Sequence, residues 1–524
     1  MLRRALALAV VWMLGACQVL PGLGGPERTP PATIGLPTAR PSATPSPTAL
    51  PFEPTLTIEA NLRIDQEQGL RASFAQDAGL NAGWTRYAIE VDVVFDPDTE
   101  LATIDGQVRI GFTNSSSRPL PDLQLMLWPN DPQYRAEMTA GPALIGGTFV
   151  EVTPLLGGMA ISLPLEKPLN SGETVDVSLP FHIDTSGPIG GAVPKRFGIT
   201  EGVLIAPTFY PLVPRLIDGA WQVEPAPPGG DTTNSETALY ELTIHAPQGL
   251  GLTASGVEVE STENPDGTQT VRSITGPMRD VAFALGPFET QAVMVEDVEL
   301  RAWFLPEHAE SAREMLEAAR IQYETLTSLI GPYPYPELDL VDAPGAFGGI
   351  EYPGLVFIGT LGGPNVVEPT VHEVGHQWFY GLIGGDQLHE PWLDEAAATY
   401  TEVLYYEAAG QRGRATSLLS EFRSWLRSHP DPRQPIGLGV GEYAGEGEYA
   451  LFVYVKGALF FDALRRELGE TQFGEFLRYY FQENRYGFAD AEGFQFLAED
   501  TCSCELDELF DVWVWEGGRI PEIE

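Results

Sequence analysis

The hydrophobic pattern of this 524-residue chain changes its period once, near residue 300. From 85 to 299, short runs such as 87–93 alternate apolar and polar residues, and clusters of Gly, Pro, Asn and Asp separate the runs. This period of two predicts a mainly antiparallel β-domain. From 300 to 524, apolar residues recur at helical spacing, as in 308–330. The chain is therefore predicted to have two domains, with an α+β second domain whose C-terminal half is largely helical.

The elements predicted for the second domain follow from the same patterns. Two short apolar runs, 338–341 and 355–358, precede most of its helical segments. The helical stretches after them are predicted at 366–382, 391–408, 414–427, 449–468 and 471–484.

The N-terminus reads as a targeting signal. Segment 1–17 has two early arginines and an apolar stretch that is too short to span a bilayer. It ends in Leu-Gly-Ala-Cys, which resembles a bacterial lipobox with Cys17 as the lipidated residue; an ordinary secretory signal with a chance cysteine is the alternative. Segment 18–55 is rich in Pro, Ser and Thr and is predicted to be a tether, followed by a connecting segment at 56–84. We expect an extracytoplasmic protein held on the cell membrane by a lipid anchor at Cys17.

The net charge of the chain limits the kinds of partner that it can bind. With 30 basic and 73 acidic residues, the net charge of −43 should repel nucleic acid, so no nucleic-acid partner is expected. The acidity is either a solubility adaptation or a field that draws in cationic substrates. Cys502 and Cys504 lie too close in sequence for a relaxed disulfide framework, so a strained bridge and two free thiols both remain possible.

The strongest chemical motif is His-Glu-Val-Gly-His at 372–376, an HExxH sequence in a stretch predicted helical. Positions i and i+4 share one helix face, so the imidazoles of His372 and His376 can reach one metal ion. Glu373 lies beside them, where its carboxylate can take a proton from zinc-activated water. The alternatives are a chance spacing and a capping box formed by Thr370 and Glu373. The motif predicts a zinc-dependent hydrolase with Glu373 as the general base.

Catalytic zinc needs a third protein ligand, and Glu395 is the candidate. It lies nineteen residues after His376, where a helix is predicted to begin after a turn at 384–385. Two antiparallel helices joined by a short loop can bring this carboxylate to the same ion, and two histidines with one glutamate leave a position open for water. The alternative is a solvated acid at a helix start. One zinc ion per chain is therefore predicted, bound by His372, His376 and Glu395.

Four motifs between 348 and 457 resemble those of the aminopeptidase N family of gluzincin zinc peptidases. HExxH followed by eighteen residues and Glu is the family signature, and Trp-Leu-Asp-Glu at 392–395 resembles its WLNE segment. Gly-Gly-Ile-Glu-Tyr at 348–352 stands where the family carries GAMEN, and Tyr-Val-Lys-Gly at 454–457 resembles its YEKG. The resemblance implies a thermolysin-like catalytic domain behind a saddle-shaped antiparallel β-domain, and it implies peptide substrates.

The resemblance also implies a catalytic role for Tyr454. A phenol aimed at the tetrahedral intermediate would stabilise negative charge that appears only in the transition state. Core packing is the alternative, because aromatic residues crowd the same region of the sequence, namely Tyr449, Phe452, Phe460 and Phe461.

Glu351 is predicted to bind the substrate amine. Gly348 and Gly349 end a flexible run that lets backbone approach a ligand closely. Glu351 follows that run and precedes 355–358. This segment is predicted to be an edge strand beside the metal helix, that is, the helix that carries His372 and His376. A peptide added to this edge through main-chain hydrogen bonds would bring its free α-ammonium to the Glu351 carboxylate. The alternative is a strand-start acid that faces solvent.

Two further residues lie one and two turns beyond Glu395 on the same helix face. Thr399 and Glu402 are each a candidate to orient a ligand histidine from behind. A plain surface ion pair is the alternative for this position.

The chain also departs from the family pattern. Ile350, Tyr352 and Ala396 replace the Met, Asn and Gly of the family motifs, and about seventy residues follow Tyr454. The large C-terminal helical domain of full-length relatives is thus expected to be absent, which leaves strict exopeptidase action open. The leading functional hypothesis is a zinc aminopeptidase that trims peptides outside the cytoplasm. A zinc endopeptidase or oligopeptidase and a non-catalytic binding lipoprotein are the alternatives.

Overall fold

The computed structural model describes residues 66–521 and 523, except for 135, 186–195, 231–233, 346 and 361–364. The predicted signal segment 1–17, including Cys17, and the predicted tether 18–55 lie outside the described residues.

The described part of the predicted connecting segment is packed against the folded domains. It forms two 3₁₀ turns, Glu67–Gly69 and Ala72–Gly79. Arg71 donates a hydrogen bond of 2.7 Å to the carbonyl of Tyr333, and the buried carboxylate of Asp77 accepts one of 3.1 Å from the hydroxyl of Tyr486. This segment therefore ties the start of the β-domain to the helical domain.

The β-domain is confirmed, and its strands show the expected burial period. In the strand Thr85–Asp96, Tyr87, Ile89 and Val91 are buried, and the residues between them, Ala88 and Glu90, are more exposed. Antiparallel pairs predominate, but Thr85–Asp96 pairs in parallel with Ala238–Pro247. The large sheet runs in the order Val257–Glu263, Thr268–Ile274, Ala238–Pro247, Thr85–Asp96, Leu101–Thr113, Thr174–Thr185, Ala143–Ile145 and Thr148–Val150, with Ala136–Ala140 also paired to Thr174–Thr185.

Smaller sheets complete the β-domain. One follows the order Gly198–Thr200, Val203–Pro207, Ala282–Gly286 and Gly251–Ala254; a second follows Leu120–Met126, Ala160–Leu169 and Thr153–Leu155; a third pairs Leu216–Ile217 with Ala220–Trp221. Short 3₁₀ turns lie at Trp128–Asn130 and Leu156–Gly158.

The second domain begins with its own sheet, and this corrects two predictions. The predicted boundary at 299/300 falls inside a strand, Val298–Phe304, which pairs in parallel with Glu337–Ala343 of the second domain. The run 355–358 was predicted to be the edge strand, but Leu355–Gly359 lies between Glu337–Ala343 and the shorter edge strand Gly349–Ile350. The full order is Glu289–Val295, Val298–Phe304, Glu337–Ala343, Leu355–Gly359 and Gly349–Ile350.

Helices cover this sheet and form the C-terminal half, as predicted. The helix predicted at 366–382 ends early, at His376, because the chain then turns back on itself. The two helices predicted at 449–468 and 471–484 are confirmed: Gly457–Asn484 is kinked at Gly469, whose φ of +76° is not helical and suits glycine. The helices are Ala309–Leu329, Val367–His376, Trp392–Ala408, Arg412–Ser428, Glu446–Tyr449, Gly457–Asn484, Ala491–Cys502 and Asp507–Phe510, with π-helical turns at Ala450–Lys456 and Asp511–Trp515 and 3₁₀ turns at Pro306–His308 and Val440–Glu442.

A buried arginine joins the two domains. Arg279 of the β-domain donates from Nε to the carbonyl of Tyr380 at 2.7 Å, and its other nitrogens bond the carbonyls of Ser235 and Gly487. Gly384 lies against it, because a Cβ at that position would lie 2.0 Å from the guanidinium carbon. A buried guanidinium that satisfies carbonyls of both domains fixes the loop after the metal helix relative to the β-domain.

Two sequence questions are answered away from the site. The structure joins Cys502 and Cys504 by a disulfide, which selects the bridge over two free thiols. In the part of the chain that the structure describes, no helix combines the length and the apolarity that crossing a bilayer requires.

Candidate metal centre

The three predicted ligands lie close together where two helices meet; we call these helices the ligand helices. His372 and His376 lie on Val367–His376, and Glu395 lies in the first turn of Trp392–Ala408. The Nε2 atoms of the histidines are 3.1 Å apart, and Glu395 Oε2 lies 3.2 Å and 3.3 Å from them. Zinc–ligand bonds of about 2.0–2.1 Å in a tetrahedron place neighbouring ligand atoms about 3.3 Å apart. The residues present therefore fit a zinc ion with a fourth position open.

Each ligand histidine is held from behind through its other ring nitrogen. His372 Nδ1 lies 3.2 Å from Glu402 Oε1, and His376 Nδ1 lies 2.9 Å from the carbonyl oxygen of Phe379. With Nδ1 as the donor in both rings, both Nε2 lone pairs point to the metal position. The predicted contact of Glu402 is present, whereas the part played by the Phe379 carbonyl was not foreseen.

Thr399 does not take the part predicted for it. Its hydroxyl donates 2.7 Å to the carbonyl of Glu395, one turn earlier in the same helix, rather than to a ligand histidine. A threonine inside a helix commonly returns its hydroxyl to the i−4 carbonyl, and here that bond orients Thr399 along the helix.

We call the three ligands His372, His376 and Glu395 the ligand triangle. Glu373 lies on the side of this triangle that faces the edge strand Gly349–Ile350. Only 5% of it is exposed, and a Cβ added at Gly349 would lie 2.3 Å from its Oε1. The capping-box alternative does not hold, because Thr370 lies inside the helix and its hydroxyl bonds the carbonyl of Val366. Gly349 is therefore needed for close packing against the predicted base, while the space around the Cβ position of Gly348 is open.

Tyr454 contacts two members of the ligand set. Its hydroxyl donates to Glu395 Oε1, and its half-buried ring stacks on His372 with centroids 5.7 Å apart and planes 15° apart. It lies on the π-helical turn Ala450–Lys456, a type of irregularity that is frequent at functional sites. The phenol thus faces the metal position, although its ring also packs against the core.

Lys456 holds the end of that π-helical turn. It is fully buried, and its ammonium donates to the carbonyls of Pro432 and Gln434. Burial lowers the pKa of Lys456 to about 7. These bonds attach the turn that carries Tyr454 to the neighbouring loop.

Glu351 is buried, so the solvent-facing alternative is wrong. It is 6% exposed, directly after the edge strand Gly349–Ile350, and its Oε1 accepts a 3.1 Å hydrogen bond from Gln387 Nε2. Sequence reasoning missed Gln387, for which the only signal was an amide side chain in the loop between the ligand helices.

The electrostatics of the site favour a cation. Burial raises the pKa of Glu351, and the charges of Glu373 and Glu395 raise it further, although His376 opposes them. Burial alone would lower the pKa of His372, but its hydrogen bonds to Glu395 and Glu402 raise it to about 10. Positive charge is therefore stabilised where the ligand triangle lies.

Comparison with known proteins agrees with this arrangement. Residues 310–513 match the Peptidase family M1 domain. Aminopeptidase M1-B of Oryza sativa is 26% identical over 305 residues, which cover 54% of this chain and 34% of that protein. Aminopeptidase B of Rattus norvegicus is 28% identical over 236 residues, which cover 41% of this chain and 35% of that protein. The match thus spans about a third of the length of these curated relatives.

Solved structures show the same fold. The M1 zinc metallopeptidase of Deinococcus radiodurans superposes with a TM-score of 0.64 at 21% identity, covering 84% of this chain and 96% of that one. The predicted order of a β-rich domain followed by a largely helical one is confirmed. Together with the ligand geometry, these matches confirm the zinc cofactor predicted from His372, His376 and Glu395. The resemblance to the aminopeptidase N family is thus confirmed over residues 310–513, which match the Peptidase family M1 domain.

Proposed function

We propose that this protein is a zinc-dependent aminopeptidase that removes N-terminal residues from peptides. The observation that carries the proposal is the buried carboxylate of Glu351 within electrostatic reach of Glu395 and His376 of a complete ligand triangle. The triangle suits peptide-bond hydrolysis, and a separate buried acid beside it suits a substrate ammonium. In support, a mutant of the Deinococcus radiodurans metallopeptidase was solved bound to a Tyr-Ser-Ala substrate.

The residues divide the chemistry among them. When bound, zinc polarises the scissile carbonyl and makes water more acidic. Glu373, next to both ligand histidines, accepts the proton from the attacking water and then passes it to the leaving amine. Its low exposure and its packing against Gly349 hold the carboxylate in place for both transfers.

Tyr454 is assigned to the transition state. In the resting protein its hydroxyl donates to Glu395, which keeps the phenol beside the metal position. A substrate carbonyl oxygen that gains negative charge there is a competing acceptor for the same hydrogen. Transfer of this hydrogen bond from ligand to oxyanion stabilises only the charged species, which lowers the barrier.

Glu351 is assigned to the amine. Gln387 occupies Oε1, so Oε2 is the oxygen we assign to a substrate ammonium. The charges of Glu373 and Glu395, which disfavour ionised Glu351, favour a cation bound beside it, and that cation in turn favours the ionised carboxylate. Such a site binds peptides with a free N-terminus more tightly than blocked ones, which favours the aminopeptidase over the endopeptidase alternative. The intact base and ligands weigh against a non-catalytic binding lipoprotein.

Glu373→Gln should retain zinc and lose hydrolysis, because it removes the base and none of the ligands. We expect kcat to fall about 10²–10⁴-fold. Metal content by atomic absorption, together with turnover of a fluorogenic amino-acid amide, measures both effects. In the wild type, chelation should abolish turnover and added zinc should restore it; wild-type turnover by the variant would remove Glu373 from the mechanism.

Tyr454→Phe should lower kcat far more than it raises KM, since the hydroxyl acts on charge that develops only in the transition state. The expected loss is on the order of 10²–10³-fold, as for other oxyanion donors. Steady-state kinetics on the zinc-loaded variant test this. A change confined to thermal stability, with kcat intact, would restore the core-packing alternative.

Glu351 sets the preference for a free N-terminus. Acetylating a peptide's α-amine should nearly abolish wild-type cleavage, because the contact is charge-assisted. Glu351→Ala should raise KM for free peptides and reduce the free-to-blocked ratio, whereas Glu289→Gln, an exposed acid on a distant strand, should change neither. Mass spectrometry of the products identifies the bonds cut. Equal cleavage of free and blocked peptides by the wild type would favour an endopeptidase and leave the zinc chemistry standing.

We also propose that the protein acts outside the cytoplasm, anchored by lipid at Cys17, which lies outside the described residues. The lipobox-like sequence and the Pro-rich stretch after it support this, as does the Cys502–Cys504 disulfide, since disulfides persist in oxidising compartments. Cys17→Ser should release soluble protein or leave an unprocessed precursor, as seen by fractionation and intact mass. A mature N-terminus elsewhere, without lipid, would reject the anchor.

A further inference from the structure

Tyr380 adopts a backbone conformation that side-chain-bearing residues rarely adopt. Its φ is +125°, and only 4% of the residue is exposed. It follows the metal helix, at the point where the chain turns back toward Ile383. A strained residue of this kind persists only where surrounding contacts hold it, and such residues cluster at functional sites.

Two consecutive residues of the β-domain supply those contacts. Arg279 Nε donates 2.7 Å to the carbonyl oxygen of Tyr380, and the Tyr380 hydroxyl donates 2.8 Å to Asp280 Oδ2. Arg279 and Asp280 are buried to 99% or more. The backbone carbonyl and the side chain of Tyr380 are thus both fixed from the other domain.

The angle φ of Tyr380 has a direct geometric consequence for the metal centre. It describes rotation about the N–Cα bond, so with the rest of Tyr380 fixed, it orients the peptide unit that joins Phe379 to Tyr380. The nitrogen of that unit donates 2.9 Å to the carbonyl of Ile383, and its carbonyl oxygen, that of Phe379, lies 2.9 Å from Nδ1 of the ligand His376. The direction of this carbonyl sets the orientation of the imidazole ring.

We propose that Asp280 and Arg279 are positioning residues of the zinc centre, which act through Tyr380 and the Phe379 carbonyl on His376. The β-domain thereby raises the zinc affinity of the catalytic domain. This inference rests on the zinc centre described above and is independent of the substrate. Replacing the partner behind a metal-bound histidine typically weakens metal binding about 10–100-fold.

The test compares zinc affinities of the full chain. Zinc Kd is measured by competition with a chromogenic chelator for the wild type, Tyr380→Phe, Asp280→Ala and Asp280→Asn. Glu402→Ala, which removes the partner of the other ligand histidine, is the positive control. Thr253→Val is the matched control, because buried Thr253 of the β-domain donates a 2.5 Å hydrogen bond to Asp339 Oδ2 in the strand Glu337–Ala343 of the second domain, away from the Tyr380 turn. The absorption spectrum of the cobalt-substituted protein reports ligand geometry independently of activity.

We expect Tyr380→Phe and Asp280→Ala to weaken zinc binding about tenfold or more, with an altered cobalt spectrum. Asp280→Asn should recover most of the affinity, since its amide oxygen still accepts from the phenol. Thr253→Val should lower the melting temperature and leave zinc Kd unchanged. If Tyr380→Phe, which removes a single hydroxyl, behaves like Thr253→Val, the proposal is overturned.

Zinc binding separates this proposal from the proposed function. A wild-type protein that binds zinc but cleaves no peptide would reject the aminopeptidase and leave the positioning role intact. A wild-type protein without zinc affinity would overturn both.

Discussion

The structure depends on holding three side-chain atoms from two helices at the edge length of a zinc tetrahedron. The observed spacings of 3.1–3.3 Å leave little room for error, and neither helix can supply the set alone. Each ligand is consequently fixed by a second contact, to Glu402, to the Phe379 carbonyl or to Tyr454. The surrounding backbone places these contacts: the π-helical turn Ala450–Lys456 carries Tyr454, and the turn after His376 carries the Phe379 carbonyl.

The zinc centre contains several buried carboxylates. Burying these charges is unfavourable, and a bound cation offsets that free energy. Glu351, Glu373, Glu395 and Glu402 are each 6% exposed or less, and burial raises the pKa of Glu351 and Glu402. For Glu395, burial also raises the pKa, but hydrogen bonds with the ligand histidines outweigh it and hold the value well below the ordinary one. A metal ion therefore enters surroundings that are already arranged to stabilise positive charge, and the proposed substrate ammonium would meet the same carboxylates.

The sequence pattern correctly predicted the features that depend only on residues close together in the chain. The i, i+4 spacing of His372 and His376 and the period-two strands depend on neighbours in sequence, and both predictions hold. The sequence placed Thr399 and Glu402 on one helix face and did not distinguish their roles. In the structure the short side chain of Thr399 bonds its own helix, whereas the longer side chain of Glu402 contacts His372. The two-residue edge strand Gly349–Ile350 is too short for any periodicity to reveal. The contacts of Gln387 and Arg279 are long-range and leave no local trace.

The arginine that joins the domains also bears on how the protein is made. Arg279 precedes both helices that carry the zinc ligands, Val367–His376 and Trp392–Ala408, so it leaves the ribosome before them. N-terminal domains generally fold first during synthesis. The β-domain can then serve as a preformed surface on which the chain around Tyr380 closes, and the metal is acquired last. A catalytic domain expressed alone, even from the first strand of its own sheet at Glu289, would lack that surface, which makes cutting the chain at the domain boundary a poor way to obtain a smaller enzyme.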